Sequence, residues 1–305
     1  MARWFEHKEF STGLLRLYTL YYIYKILGRR VLKFIVFFII LFSYPFLKKA
    51  RLASGLYFSN LYAYTGDKTY RPRFKNHFKH VYTFAKALVD KVASWSDGLK
   101  PSELHYATPK DLEKYHKQVL YGKGVFVLCS HLGNIEILRA LMTKEYKDVH
   151  INSFMDMDQS ATFNDFIKRV SPDAHINLYS TRDIGLDTAC MTKDKLDDGE
   201  VIVMAADRVS AANDKKFIAL PFLGETAHFP VGVFHFLKAM RTDFCFIAIC
   251  LNSKTGKYDV HLKFFEKSEA KDMSSVSKKY AKWLENLTVQ YPYQWFNFFD
   301  FWENR

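Results

Sequence analysis

Residues 124–136 read GVFVLCSHLGNIE. Gly124 to Cys129 form a short apolar run of the length and composition of a buried strand. The run stops at Ser130 and His131, Gly133 permits a tight bend, and a helix opens at Asn134 to Glu136. A strand that enters a turn and then a helix is one β-α unit of a parallel sheet. In such sheets, functional residues gather just past the carboxyl ends of the strands. His131 stands at that place.

The same texture continues on the C-terminal side. DVHINSFM, HINLYS and VIVMAAD read as strands, and TFNDFIKRVS, GLDTACMTKDKLDDG and VGVFHFLKAMR as helices. FCFIAICLN and KYDVHLKFFE read as a terminal pair of strands, and SSVSKKYAKWLENLTVQ as the closing helix. This alternation predicts an α/β fold, a largely parallel mixed sheet flanked by helices. Residues 52–120 read as a helical lead-in, because FKNHFKHVYTFAKALVDKVASW repeats apolar residues at helical spacing before GLKPSE breaks it. The expected organisation is residues 1–51 as a membrane segment, then a cytoplasmic domain over 52–305 whose α/β core spans 121–305.

Residues 31–47 are apolar except for Lys33, with Arg29 and Arg30 before them and Lys48, Lys49 and Arg51 after. About 17 residues is the lower limit for a spanning helix. Leu14 to Leu27 carries Arg16 and Lys25 among tyrosines and leucines, as an interfacial helix does. The apolar core starts too late for a cleaved signal peptide, and no small-residue cleavage site follows. A buried core helix is the competing reading. Membrane attachment, spanning or in one leaflet, is the expectation. The 305 residues carry a net charge of +12, which favours an anionic partner: an acidic membrane, an acidic carrier protein or a nucleic acid. Basic residues are spread along the chain without a nucleic-acid-binding motif, which disfavours the last of these. Cys129, Cys190, Cys245 and Cys250 lie in or beside apolar segments and read as reduced core residues. No histidine shows metal-ligand spacing, so neither a metal nor a cofactor is expected.

His131 and Glu136 form an H-x-x-x-x-E spacing. Five helical steps turn about 500°, so the two would lie well apart if both were helical. With His131 in the turn and Glu136 on the first helical turn, the carboxylate is expected to reach back and orient the imidazole. The histidine then serves as a general base toward an acyl carbonyl. No Gly-x-Ser-x-Gly elbow is present, so Ser130 need not be a nucleophile. The competing reading is a structural turn histidine and a glutamate that favours a helix start.

Three stretches, SHLGNIE at 130–136, AADRV at 205–209 and LPFLGETAHFPVG at 220–232, resemble in order and spacing the lipid A biosynthesis acyltransferase family. The N-terminal WFxxKEFSTGLLRL, LGRR at 27–30 and the closing PYQWFNFFDFW at 292–302 are similar to the branch found in aryl-polyene and related lipid gene clusters. The resemblance implies a bacterial inner-membrane enzyme, facing the cytoplasm, that takes an acyl chain from acyl carrier protein to a lipid acceptor. It implies His131 as catalytic base and Glu136 as its acidic partner. Asp207 and Arg208 match the second motif, where the family more often shows Asp-Gln, so Arg208 is a departure. Arg182 matches an arginine that meets an anionic headgroup or carrier phosphate. Phe222, Gly224, Phe229 and Pro230 belong to a turn-rich segment expected to line an acyl groove; the plainer reading is a strand-to-helix connection. The closing aromatic segment reads as core closure or a membrane-interface belt. A non-catalytic lipid-binding or assembly factor with the same fold is the alternative function.

Overall fold

The computed structural model describes residues 14–96, 100–137, 139–140, 149–156, 165–171, 176–182, 184–209 and 215–302. Three helices lead in: α1 (Leu14–Ser43), α2 (Lys48–Thr65) and α3 (Phe74–Trp95). A short β1 (Leu104–Tyr106) and α4 (Pro109–Leu120) follow, then β2 (Val125–Cys129), β3 (Ile151–Met155), β4 (Ile176–Ser180), α5 (Leu186–Asp197) and β5 (Val201–Ala205). The chain ends with β6 (Phe217–Phe222), β7 (Glu225–Pro230), α6 (Val231–Met240), β8 (Phe244–Leu251), β9 (Tyr258–Phe265) and α7 (Met273–Gln290). Residues 135–137, 139–140 and 165–170 are also helical.

The main sheet has the strand order β1-β9-β8-β2-β5-β3-β4. The five strands from β8 to β4 are mutually parallel; β9 runs against β8, and β1 is parallel to β9. The α/β alternation is therefore realised as a mostly parallel sheet. Its central strands β2, β5 and β8 are apolar throughout because both faces are covered. Phe126, Leu128, Phe244 and Phe246 pack on one face against α6 and α7, while Val125, Val127, Ile247 and Ile249 pack on the other with Tyr115 and Val119 of α4.

Two elements depart from the sequence reading. β1 interrupts the expected helical lead-in, and three residues are too few to show a period. The LPFLGETAHFPVG stretch is an antiparallel hairpin, β6 with β7. Leu223 and Gly224 at its tip both have positive φ (53° and 81°), the geometry that matches a two-residue turn to strand twist. Of the four free cysteines, three are buried as expected, but Cys190 on α5 is exposed.

Helix α1 is kinked at Gly28 (φ 75°, ψ 171°). Leu32 and Val36 of its inner face pack against Ala85 and Val89 of α3. Lys33, the one charge in the apolar run, points inward and pairs at 2.7 Å with Asp90, which also accepts from the Tyr258 hydroxyl of β9. The other face is bare: Phe34 and Phe42 are 64 and 72% exposed, and Phe46 in the turn that follows is 86% exposed. The helix is thus not a buried core helix. Among the described residues no single helix is long and apolar enough to cross a membrane; Leu17–Phe46 with Lys48–Thr65, bent by 93°, passes that test only as a pair. Most of the N-terminal WFxxKEFSTGLLRL motif lies outside the described residues.

Candidate active site

Strand register brings the site together. Cys129, the last residue of β2, pairs with Ala205, the last of β5. His131 and Asp207 each lie two residues further on, at the carboxyl ends of adjacent strands about 4.8 Å apart. The Asp207 carboxylate takes His131 by both of its polar handles. Oδ1 accepts from ring Nδ1 at 2.8 Å, and Oδ2 accepts from the backbone N–H at 2.9 Å. Asp207 is fully buried, while the His131 side chain is 35% exposed. Burial alone would push the Asp207 carboxyl up, but His131 and Arg208 outweigh it and hold it below the usual carboxylate range. An ionised carboxylate only accepts, so Nδ1 carries the ring proton and Nε2 is the basic nitrogen.

The partner expected for His131 was Glu136, and here the structure corrects the sequence reading. Glu136 is buried and turned away: Oε1 accepts from Arg139 Nη1 at 2.7 Å, Oε2 accepts from Trp95 Nε1 at 3.3 Å, and Lys91 Nζ lies 3.8 Å off. Its carboxyl also stays below the ordinary range, because Arg139, Lys91 and the Trp95 bond outweigh burial. The cause is the backbone at Gly133. Its φ is 75°, and a Cβ there would stand 1.9 Å from the Ile249 carbonyl oxygen of β8. This left-handed bend, tied by the Asn134 N–H to the Ile249 carbonyl (2.8 Å), sends the following helix back toward α3.

Residues 291–297 run across the same sheet edge. The Gly133 N–H donates to the Gln294 carbonyl (2.8 Å), and the Phe296 N–H donates to the His131 carbonyl (2.9 Å). Arg208 Nε donates to Asn297 Oδ1 (2.7 Å) and Nη2 to the Phe296 carbonyl (3.0 Å), while Asn297 Nδ2 donates to Asp207 Oδ2 (3.1 Å). Arg208 thus grips the C-terminal segment. Trp295, Phe296, Phe301 and Trp302 are buried, so the closing aromatics serve as core closure.

The sequence profile described as bacterial lipid A biosynthesis acyltransferase matches residues 74–304. The chain belongs to the bacterial lipid A biosynthesis acyltransferase family. An acyl donor and a lipid acceptor follow from that membership. No curated protein matches the chain.

For a member of this family, the remaining site residues fall into two groups. Arg182, just past β4, sits on the same sheet edge as His131 but three strands away, about 14 Å along the row. It is 38% exposed, and its Nη2 donates to Asp156 at the end of β3 (3.0 Å). Phe222 and Phe229 are fully buried within the core cluster that includes Trp295, Phe301 and Tyr280. They line no open groove. The hairpin spends these rings on docking to α7 and the C terminus, where Glu285 accepts from the Leu223 N–H (2.7 Å) and Trp302 Nε1 donates to the Phe222 carbonyl (3.0 Å). Gly224 makes the turn, and buried Pro230 caps α6. Asn297, Tyr280 and His80 were not singled out by sequence reasoning, because isolated residues on distant elements leave no local pattern. Among the described residues, no group of three or more His, Cys, Asp or Glu is placed to hold a metal ion.

His80 supports the loop from beneath. Ring Nε2 faces the Trp295 carbonyl at 2.9 Å and Nδ1 faces Ser54 Oγ at 3.0 Å. A carbonyl only accepts, so Nε2 carries the proton and the serine donates to Nδ1. Burial pushes the ring down to about 4, against the Trp295 carbonyl and with help from His77. The neutral ring therefore favours the folded chain most above about pH 6.5, and that stability is lost as pH falls toward about 4, a difference on the order of 3 kcal/mol. Thermal melting should show the midpoint falling across that window. His80→Gln, which keeps a donor for Trp295 and does not titrate, should flatten the slope.

Proposed function

We propose that this chain transfers an acyl group from acyl carrier protein to a hydroxyl or amine of a lipid acceptor at the cytoplasmic face of a bacterial inner membrane. The observation that carries the reading is the half-exposed His131 whose Nδ1 is fixed on buried Asp207, leaving Nε2 as a base at a sheet end. Nε2 removes the acceptor's proton as its oxygen or nitrogen attacks the thioester carbonyl. The tetrahedral intermediate then collapses, the C–S bond breaks, and the leaving thiolate takes the proton from the imidazolium. Asp207 stabilises the imidazolium between the two steps.

Arg182 suits a phosphate of the acceptor or the carrier, because a guanidinium stays charged and donates in a fork. The half-buried Phe84, packed on Phe296 and on the half-buried Phe298, and Phe299 beneath the Arg208 guanidinium offer an apolar surface for the acyl chain. The bare face of α1, bracketed by Arg29, Arg30, Lys48 and Lys49, is the surface proposed to lie in an anionic leaflet. Through its resemblance to the aryl-polyene branch alone, the closing FNFFDFW favours an acceptor of that or a related lipid class over an ordinary lipid A precursor.

Mass spectrometry of lipids from cells expressing the wild-type chain or His131→Ala at matched membrane levels tests the reading. An acylated lipid should accumulate with the wild type and be absent with His131→Ala. Identical profiles from folded, membrane-bound proteins would leave the non-catalytic lipid-binding factor as the better account.

A further inference from the structure

We infer that Asn297 is a positioning residue for the His131–Asp207 pair: its buried amide fixes the plane of the Asp207 carboxylate, and so the direction from which an oxygen meets the imidazole. The inference rests on the general-base reading of His131. Asn297 is only 2% exposed, and burying an amide is unfavourable unless its polar atoms are used. Here both ends are. The orientation of the amide is unambiguous, because Arg208 Nε can only donate to it at 2.7 Å and the Asp207 carboxylate can only accept from it at 3.1 Å.

With Asn297 in place, Asp207 Oδ2 accepts twice, from the His131 backbone N–H and from Asn297 Nδ2. Oδ1 is left to ring Nδ1. The carboxylate cannot rotate about its Cβ–Cγ bond without breaking both bonds at Oδ2, so the imidazole keeps one tautomer and one direction. Asn297 itself is held from outside the pair. Its neighbour Phe296 is tied through its N–H to the His131 carbonyl and through its own carbonyl to Arg208, and the Trp295 carbonyl rests on His80. A glutamine would be one methylene too long for this span, an aspartate would set a second negative charge against Asp207, and a leucine would offer no donor. The other titratable groups that act on Asp207 are His131, Arg208, Cys129 of β2 and Tyr280 of α7.

The test uses the full chain in detergent, a lauroyl thioester of acyl carrier protein as donor and a bacterial total lipid extract as acceptor, with melting curves to establish folding. Asn297→Ala should lower kcat roughly ten- to a hundred-fold while the donor KM stays within about three-fold, since geometry and not binding is lost. Asn297→Asp is nearly isosteric and serves even where the alanine variant folds poorly. At acid pH a proton shared by the two carboxyls restores a donor toward Oδ2, so this variant should approach wild-type kcat. Its kcat relative to wild type should then fall at least about ten-fold as pH rises and the shared proton leaves. A merely structural residue would change the melting temperature without producing that pH signature. Wild-type kcat and pH profile in both folded variants, with His131→Ala inactive, would overturn the inference and leave the general base intact. Activity retained by His131→Ala would overturn the general base, and the role given to Asn297 with it.

Discussion

Asp207→Asn should lower kcat for acyl transfer by about 10³- to 10⁴-fold, nearly as much as removal of His131, with KM for the acyl donor little changed. The size follows from the hydrogen-bond inventory at the carboxylate. In the wild type, Oδ2 accepts from the His131 backbone N–H and from Asn297, and Oδ1 accepts from ring Nδ1. An asparagine amide must keep its oxygen on the side where two donors converge. Its NH₂ group then faces Nδ1, which has to become an acceptor, and the ring proton moves to Nε2. That tautomer is wrong for the proposed base, and the charge proposed to steady the imidazolium is gone. Steady-state kinetics on the purified variant, with its melting temperature as control, measure the effect. A loss below about ten-fold would mean that Asp207 only fastens the loop.

Glu136→Gln should act on stability instead. Glu136 and Arg139 form a buried ion pair, and breaking such a pair by removing one partner costs about 3–5 kcal/mol. For a chain of this size the melting temperature should drop by roughly 10 °C. The sign with pH is fixed by the depressed carboxyl of Glu136. Its contribution is complete above the ordinary glutamate range and is lost as pH falls through its lowered folded-state value, so the gap between wild type and variant should close on acidification. Replacing both partners, Glu136→Gln with Arg139→Met, should recover much of the loss. At a temperature where Glu136→Gln is folded, its kcat should stay within a few-fold of wild type. A collapse of kcat in the folded variant would return to Glu136 the catalytic role that the H-x-x-x-x-E spacing suggested.

Much of this molecule was legible in the chain because the signals are local. An unbroken apolar run such as Val125–Cys129 is the mark of a strand covered on both faces, and its abrupt end at Ser130 located the sheet edge where His131 stands. The run that became α1 was legible as apolar with one lysine. Only packing revealed that Lys33 turns inward to Asp90 while the phenylalanines face out. The hairpin β6–β7 was hidden because two prolines and a glycine mimic a loop, and the burial of Phe222 and Phe229 depends on α7 and the C-terminal segment lying across them.

The sequence by itself determined most of the secondary elements, the β-α alternation that implies a largely parallel sheet, and the histidine at the end of β2, since each shows as a local pattern in the chain. Tertiary structure alone decided which acid meets that histidine. Glu136 is five residues away in sequence, yet Asp207, seventy-six residues away, holds the ring. Strand order places β5 beside β2 in register, and the bend at Gly133 aims the nearer carboxylate into the protein. A partner chosen across a sheet depends on which strands lie side by side, and that order is set by the packing of the whole domain.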